Sequence, residues 1–164
     1  MGEEVNIRRL NTVDFREFYL LFERLIKNEI PELIKQSKFF LEGDFSRQRV
    51  LSALTFPKIA IFGYFKQNES GKPELIGFVW GNNGYAGLGF VSWIMVEQGN
   101  RSNGIGSTLL LYYEDYIRKI GGHVVELYCF EGMKEFYEKN SYEVIGIRPK
   151  GYFGLRQYIM DKLL

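Results

Sequence analysis

The residues Arg101-Ser102-Asn103-Gly104-Ile105-Gly106 stand between an apolar run, Phe90-Val91-Ser92-Trp93-Ile94-Met95-Val96, and a helix-patterned segment that begins at Ser107. A strand, a glycine-bearing turn and a helix start, in that order, make an anion site. The first N–H groups of a helix have no acceptor within it, the dipole is positive there, and glycine lets the main chain approach a ligand closely. The chemistry this implies is the holding of a phosphorylated group. Two common patterns are excluded: a dinucleotide fingerprint needs a third glycine where this chain has Leu109, and a phosphate P-loop needs a Gly-Lys-Ser/Thr that is absent.

The elements that must position this turn are legible from period and punctuation. A strand is expected from Val5 to Leu10, then Asn11 or Thr12 as a helix cap with Asp14 in the first turn. Phe18, Leu21, Phe22, Leu25 and Ile26 recur at three- and four-residue spacing, which predicts an amphipathic helix that Pro31 interrupts. Glu32 to Phe56 reads as further helix broken near Gly43-Asp44. The segments 58–65 and 74–80 are β-branched and aromatic, and the turn sequence 68–73 joins them into a predicted hairpin ahead of the Phe90–Val96 strand. After the turn, Ile105, Leu109, Tyr113, Tyr116, Ile117 and Ile120 share a helical face that Gly121-Gly122 terminate. A strand from Val124 to Phe130, a short helix from Gly132 to Lys139, and strands Tyr142–Ile147 and Gln157–Lys162 complete the order. That order predicts one domain over residues 1–164, with a mixed sheet and helices on its faces.

Composition narrows the class. A chain of 164 residues, 46% hydrophobic and 16% aromatic, buries a sizeable core without staples. Lys plus Arg number 21 against 20 Asp plus Glu, so nothing global points to nucleic acid or a membrane surface. The single cysteine, Cys129, excludes an intrachain disulfide, and the single histidine, His123, leaves no His/Cys cluster for zinc. The polar N-terminus does not read as a signal peptide, and no apolar run reaches spanning length, so a cytoplasmic protein is expected.

The spacing Arg-x-x-Gly-x-Gly after a strand ending Val-x-Gln, followed later by Phe136-Tyr137-Glu138-Lys139, resembles the GNAT (Gcn5-related) N-acetyltransferase family along essentially the whole chain. The resemblance implies an α/β fold with a mixed, mostly antiparallel sheet of about seven strands and helices on both faces. It implies acetyl-coenzyme A as co-substrate and no metal. The pyrophosphate would sit on the backbone of Arg101, Ser102, Asn103, Gly104, Ile105, Gly106 and Ser107, and the pantetheine arm would pair with the main chain of Ile94, Met95 and Val96. A splay between that strand and Val124–Phe130 would admit the thioester.

By the same resemblance Tyr137 is the general acid that protonates the departing thiolate, a role suited to a phenol that stays protonated at neutral pH. The carboxylate that some members carry early in the strand before the turn is missing from Leu88-Gly89-Phe90-Val91-Ser92, which leaves Glu126 as the candidate base, acting directly or through water. Phe130 and Met133 replace the family's usual Asn and Ala, and Ser141-Tyr142 its Gly-Phe. Glu29 and Glu32, around Pro31, fall where the family walls its acceptor site, and Tyr152 lies in a segment similar to that of protein amino-group acetyltransferases. The acceptor implied is an amine, first a protein α-amine or lysine, then a small amine such as a polyamine or aminoglycoside. A coenzyme A-binding sensor without catalysis is the non-enzymatic alternative. Cys129 invites an acetyl-cysteine route, but it has no histidine partner and reads as a small buried side chain.

Overall fold

The computed structural model describes residues 6–31 and 40–164. Strand β1 (Asn6–Arg9) leads through a capped turn into helix α1 (Phe15–Glu29); Asn11 accepts from the Val13 N–H at 2.8 Å while Asp14 accepts from the Asn11 N–H at 3.0 Å. The periodic residues Phe18, Leu21, Phe22, Leu25 and Ile26 are all buried, and the helix stops ahead of Pro31, whose ring disfavours helical geometry at the residue before it. Val5 and Glu32 lie outside the described residues. In the stretch expected as further helix, Glu32 to Phe56, residues 32–39 lie outside the described residues, and a π-helical turn (Phe40–Asp44) and helix α2 (Arg47–Ala53) follow.

Strands β2 (Ile59–Gln67), β3 (Pro73–Asn83) and β4 (Leu88–Val96) form a meander, followed by α3 (Ile105–Lys119), β5 (Val124–Cys129), α4 (Lys134–Lys139), β6 (Glu143–Arg148) and β7 (Gln157–Leu163). The seven strands make one sheet in the order β1-β2-β3-β4-β5-β7-β6. Every neighbouring pair is antiparallel except β4–β5, which is parallel and carries α3 as its crossover. The α/β fold class and the helices on both faces match the expectation.

Two cores follow from this layering. On one face α1 and α2 bury Phe18, Phe22, Ile26 and Val50 against Ile61, Phe78 and Trp80. On the other, α3 and α4 bury Leu109, Tyr113, Ile117 and Tyr137 against Val79, Val91, Val125 and Leu127. The burial of α3 departs from the predicted face: Ile120, just past the last turn, is 51% exposed, while Glu114 is completely buried. That carboxylate is satisfied by the Lys162 ammonium at 2.8 Å and the Tyr142 hydroxyl at 3.1 Å. The short helix also begins later than expected, at Lys134, with a 3-10 turn (Glu131–Met133) before it. No described helix is long and apolar enough to cross a membrane.

Candidate active site

Helix α3 begins at Ile105 with Gly104 as its cap, and the turn before it is built from left-handed backbone at Ser102 (φ 65°) and Gly104 (φ 75°). Among the described residues, no backbone N–H from Ser102 through Ser107 reaches a main-chain acceptor; the first to do so is that of Thr108, on the Gly104 carbonyl at 2.9 Å. Successive N–H groups in alternating backbone conformations converge on a concavity, and the helix dipole adds positive potential. The two glycines serve different ends. A Cβ at Gly104 would meet nothing within 4 Å, so the space over the turn is open and glycine is there for its conformation. A Cβ at Gly106 would press the Phe136 ring at 3.2 Å, so that glycine lets α4 close on α3.

Arg101 is held on both sides. Its Nε donates to the Val96 carbonyl at 2.8 Å, and its Nη2 pairs with Glu29 at 2.5 Å. A second ion pair joins Arg24 of α1 to Glu97. Glu29 therefore ties the end of α1 to the anion turn instead of standing free at a cleft. The predicted binding role of Glu32 falls outside the described residues.

Beside the turn the sheet opens. β4 and β5 pair from Leu88/Val124 to Val91/Leu127, so among the described residues the β5-facing edge of Ser92–Val96 has no strand partner. Main-chain groups alternate between the two edges of a strand, so Met95 turns its own toward β3 while Ile94 and Val96 turn theirs toward the opening, where the Val96 carbonyl already accepts from Arg101. A register shift against β3 makes Ser92 an extra, bulged residue. The bulge shifts side-chain parity so that Trp93 and Met95 pack on the α1/α2 face while Val91, Ile94 and Val96 pack toward α3, and alternation next to Val91 puts Phe90 on the same face as Trp93.

Tyr137, on α4, belongs to the core on the α3/α4 face. It is 6% exposed, packs edge-on to Phe136 and Tyr142, and its hydroxyl has no hydrogen-bond partner among the described residues. Burial pushes this phenol far above its ordinary pKa, with the neighbouring Cys129 a smaller cause, so it is held protonated. Cys129 is itself buried, Sγ 3.5 Å from the Met160 sulfur, and burial pushes its thiol up to about 11.

Glu126 lies on the opposite face of β5 from Tyr137. It is half-buried, flanked by Phe90 across the parallel pair and by Asp161 across β7, and Glu143 stands opposite Asp161 on β6. These carboxylates form a row across three strands. Next to the row, Tyr128 packs against Phe90 (centroids 5.0 Å) and Tyr152 (6.1 Å), with the Arg148 guanidinium 4.8 Å above its ring. Phe45, against Trp93 at 5.5 Å and Trp80 at 5.7 Å, closes the side nearer α2. Sequence reasoning named Glu126 and Tyr152 but missed Phe90, Tyr128, Arg148, Glu143 and Asp161. Alternation along each strand was the available signal, and it places them on one face only once the order β5-β7-β6 is known. Among the described residues no group of His, Cys, Asp and Glu is arranged to hold a metal ion.

The family model for the acetyltransferase (GNAT) family matches residues 28–142, more than half of the chain. No curated protein sequence matches. Among solved structures, the PaiA N-acetyltransferase from Thermoplasma acidophilum, in complex with coenzyme A, superposes with a TM-score of 0.81 at 21% identity over 100% of both chains. The aminoglycoside 6'-N-acetyltransferase from Enterococcus faecium superposes with a TM-score of 0.70 at 20% identity over 96% of each chain. An acetyltransferase of the GNAT family from Streptococcus pneumoniae gives 0.73 at 17% identity, over 98% of this chain and 99% of that one. At these identities the likeness is one of fold.

Proposed function

The chain belongs to the acetyltransferase (GNAT) family, and from that membership we propose that it moves the acetyl group of acetyl-coenzyme A to a primary amine by direct attack in a ternary complex. The observation that carries this reading is the row of unused N–H groups from Ser102 to Ser107 opening directly beside the β4–β5 splay. The open space over Gly104 fits a pyrophosphate, and the unpaired edge of Ile94–Val96 fits an amide-bearing arm laid along it like an added strand. Bound there, acetyl-coenzyme A supplies an activated thioester.

The chain's own groups then divide the work. A backbone N–H near Val96 donates to the thioester carbonyl oxygen as negative charge gathers there. The amine nitrogen bonds to the acetyl carbon, the carbon–sulfur bond breaks, and Tyr137 gives its proton to the leaving sulfur. Glu126, from the opposite face, takes the proton that the amine loses, directly or through water. In this reading Tyr137 and Glu126 act from opposite faces of β5, so proton donor and proton acceptor do not compete for one site.

The acceptor we propose first is a protein α-amine or lysine, entering past Tyr152. The row Glu126, Asp161 and Glu143 favours a second reading, a small polycationic amine, because a carboxylate-lined face draws ammonium groups. Initial rates of thiol release with acetyl-coenzyme A and a panel of peptides, polyamines and aminoglycosides separate the two. Coenzyme A binding with no turnover on any amine would instead make the chain a sensor module.

A further inference from the structure

The two edges of the sheet are protected very differently. β1 is short and carries Arg8 and Arg9, both engaged within the chain, on Asp14 and on the Ile59 carbonyl. Among the described residues β6 pairs only with β7, and this edge strand bears Val144, Ile145 and Ile147 at 38%, 55% and 49% exposure. An apolar edge with unpaired backbone groups is a template for another strand.

The sequence of that edge, Glu143-Val144-Ile145-Gly146-Ile147-Arg148, is complementary to itself read backwards. Antiparallel pairing about a two-fold axis between Ile145 and Gly146 sets Glu143 against Arg148, Val144 against Ile147 and Ile145 against Gly146, each pair twice. Face parity normally forbids the outer pair, since residues five apart point to opposite sides. Here the bulge at Ile145 removes the obstacle: Glu143 lies opposite Asp161 and Arg148 opposite Gln157, positions of one face of β7, while Val144 and Ile147 lie opposite Met160 and Tyr158 on the other. Both copies carry the bulge, so the register survives it. Pro149, which has no N–H, ends the pairing.

We propose that β6 pairs with β6 of a second copy of this chain, joining two sheets into one continuous sheet, with the Glu143–Arg148 ion pairs fixing the register. Pairing turns Arg148 away from the Tyr128 ring and toward the carboxylate of the other copy. Six-residue strands bury little area, so the dimer is weak and concentration-dependent.

Sedimentation velocity across a wide range of protein concentration, with circular dichroism as the check on folding, tests this. The parent chain is expected to show a monomer–dimer equilibrium that Ile145→Lys abolishes. Glu143→Lys and Arg148→Glu singly bring like charges together twice per dimer and weaken it roughly tenfold, and the two combined restore it. The charge pair carries the test even where Ile145→Lys fails to fold. A monomer at every concentration, a dimer indifferent to a folded Ile145→Lys, or a double reversal no stronger than its single variants would each overturn the proposal.

Discussion

Two buried tyrosines, Tyr137 and Tyr142, touch ring to ring with centroids 5.9 Å apart, yet removal of their hydroxyls should have opposite consequences. The Tyr142 hydroxyl bonds the fully buried Glu114 at 3.1 Å, so Tyr142→Phe deletes a hydrogen bond to a charged group, a loss of about 1.5–3 kcal/mol. For a domain of this size that lowers the Tm by roughly 3–12 °C. Turnover should persist, because Tyr142 lies behind the splay. The Tyr137 hydroxyl has no partner, so Tyr137→Phe should leave the Tm nearly unchanged or slightly raised. Its kcat should fall about 100- to 10,000-fold, the usual contribution of a general acid, with coenzyme A affinity retained. Thermal unfolding and thiol release at saturating acetyl-coenzyme A measure both variants side by side. Wild-type kcat in Tyr137→Phe would remove Tyr137 from proton delivery. A Tm loss in that variant equal to the one in Tyr142→Phe would refute the partnerless hydroxyl.

Gly104→Ala meets no atom, so its cost is the left-handed backbone alone, about 1–2 kcal/mol. That energy is expected as a lower Tm or, where the turn relaxes, as roughly tenfold weaker coenzyme A binding by calorimetry, and no change in either would discredit the anion turn. Cys129→Ala should keep turnover within about threefold, because a thiol at about 11 is almost entirely protonated at neutral pH and cannot serve as a nucleophile; collapse of activity in a folded variant would revive the acetyl-cysteine route. Asp14 contributes a pH-dependent share of the stability. Its bond to Arg8, at 2.6 and 2.8 Å, holds its pKa below the ordinary carboxylate value, so the stabilisation is complete above that value and disappears as pH falls through the lowered one. Urea midpoints at neutral and acid pH should therefore differ more for the parent chain than for Asp14→Asn.

What the sequence announced was local. Period, caps and turn residues gave the strands, α1, α3 and the anion turn, because each is a property of neighbours within a few residues. What it withheld was long-range. Glu114 lies on the helical face that should be apolar, and only Lys162, at the far end of the chain, explains its burial. Glu29 stands beside a proline with no partner near it in sequence, and the Arg101 it pairs with comes 72 residues later, after the β2–β4 meander. The Ser92 bulge is invisible in a run that alternates acceptably without it, yet it decides that Phe90 and Trp93 face the same way. Glu126 was identifiable as a strand carboxylate, but its neighbours Asp161 and Glu143 required a strand order that no local pattern encodes.

That strand order also bears on how the molecule is made. β7 is inserted between β5 and β6, strands that precede it in the chain. During synthesis β1 to β4 can zip in sequence under α1, and α3 can dock on them with the anion turn at its start. β5 and β6 cannot complete their ladders until residues 157–163 arrive, and until then Glu114 has no Lys162 to neutralise it. The half of the protein that carries the turn before α3 is thus buildable early. The half that bears Tyr137 and Glu126 is sealed by a single late insertion, so a nascent chain halted before Gln157 holds two open strand edges and a Glu114 answered by Tyr142 alone, and belongs to the care of a chaperone.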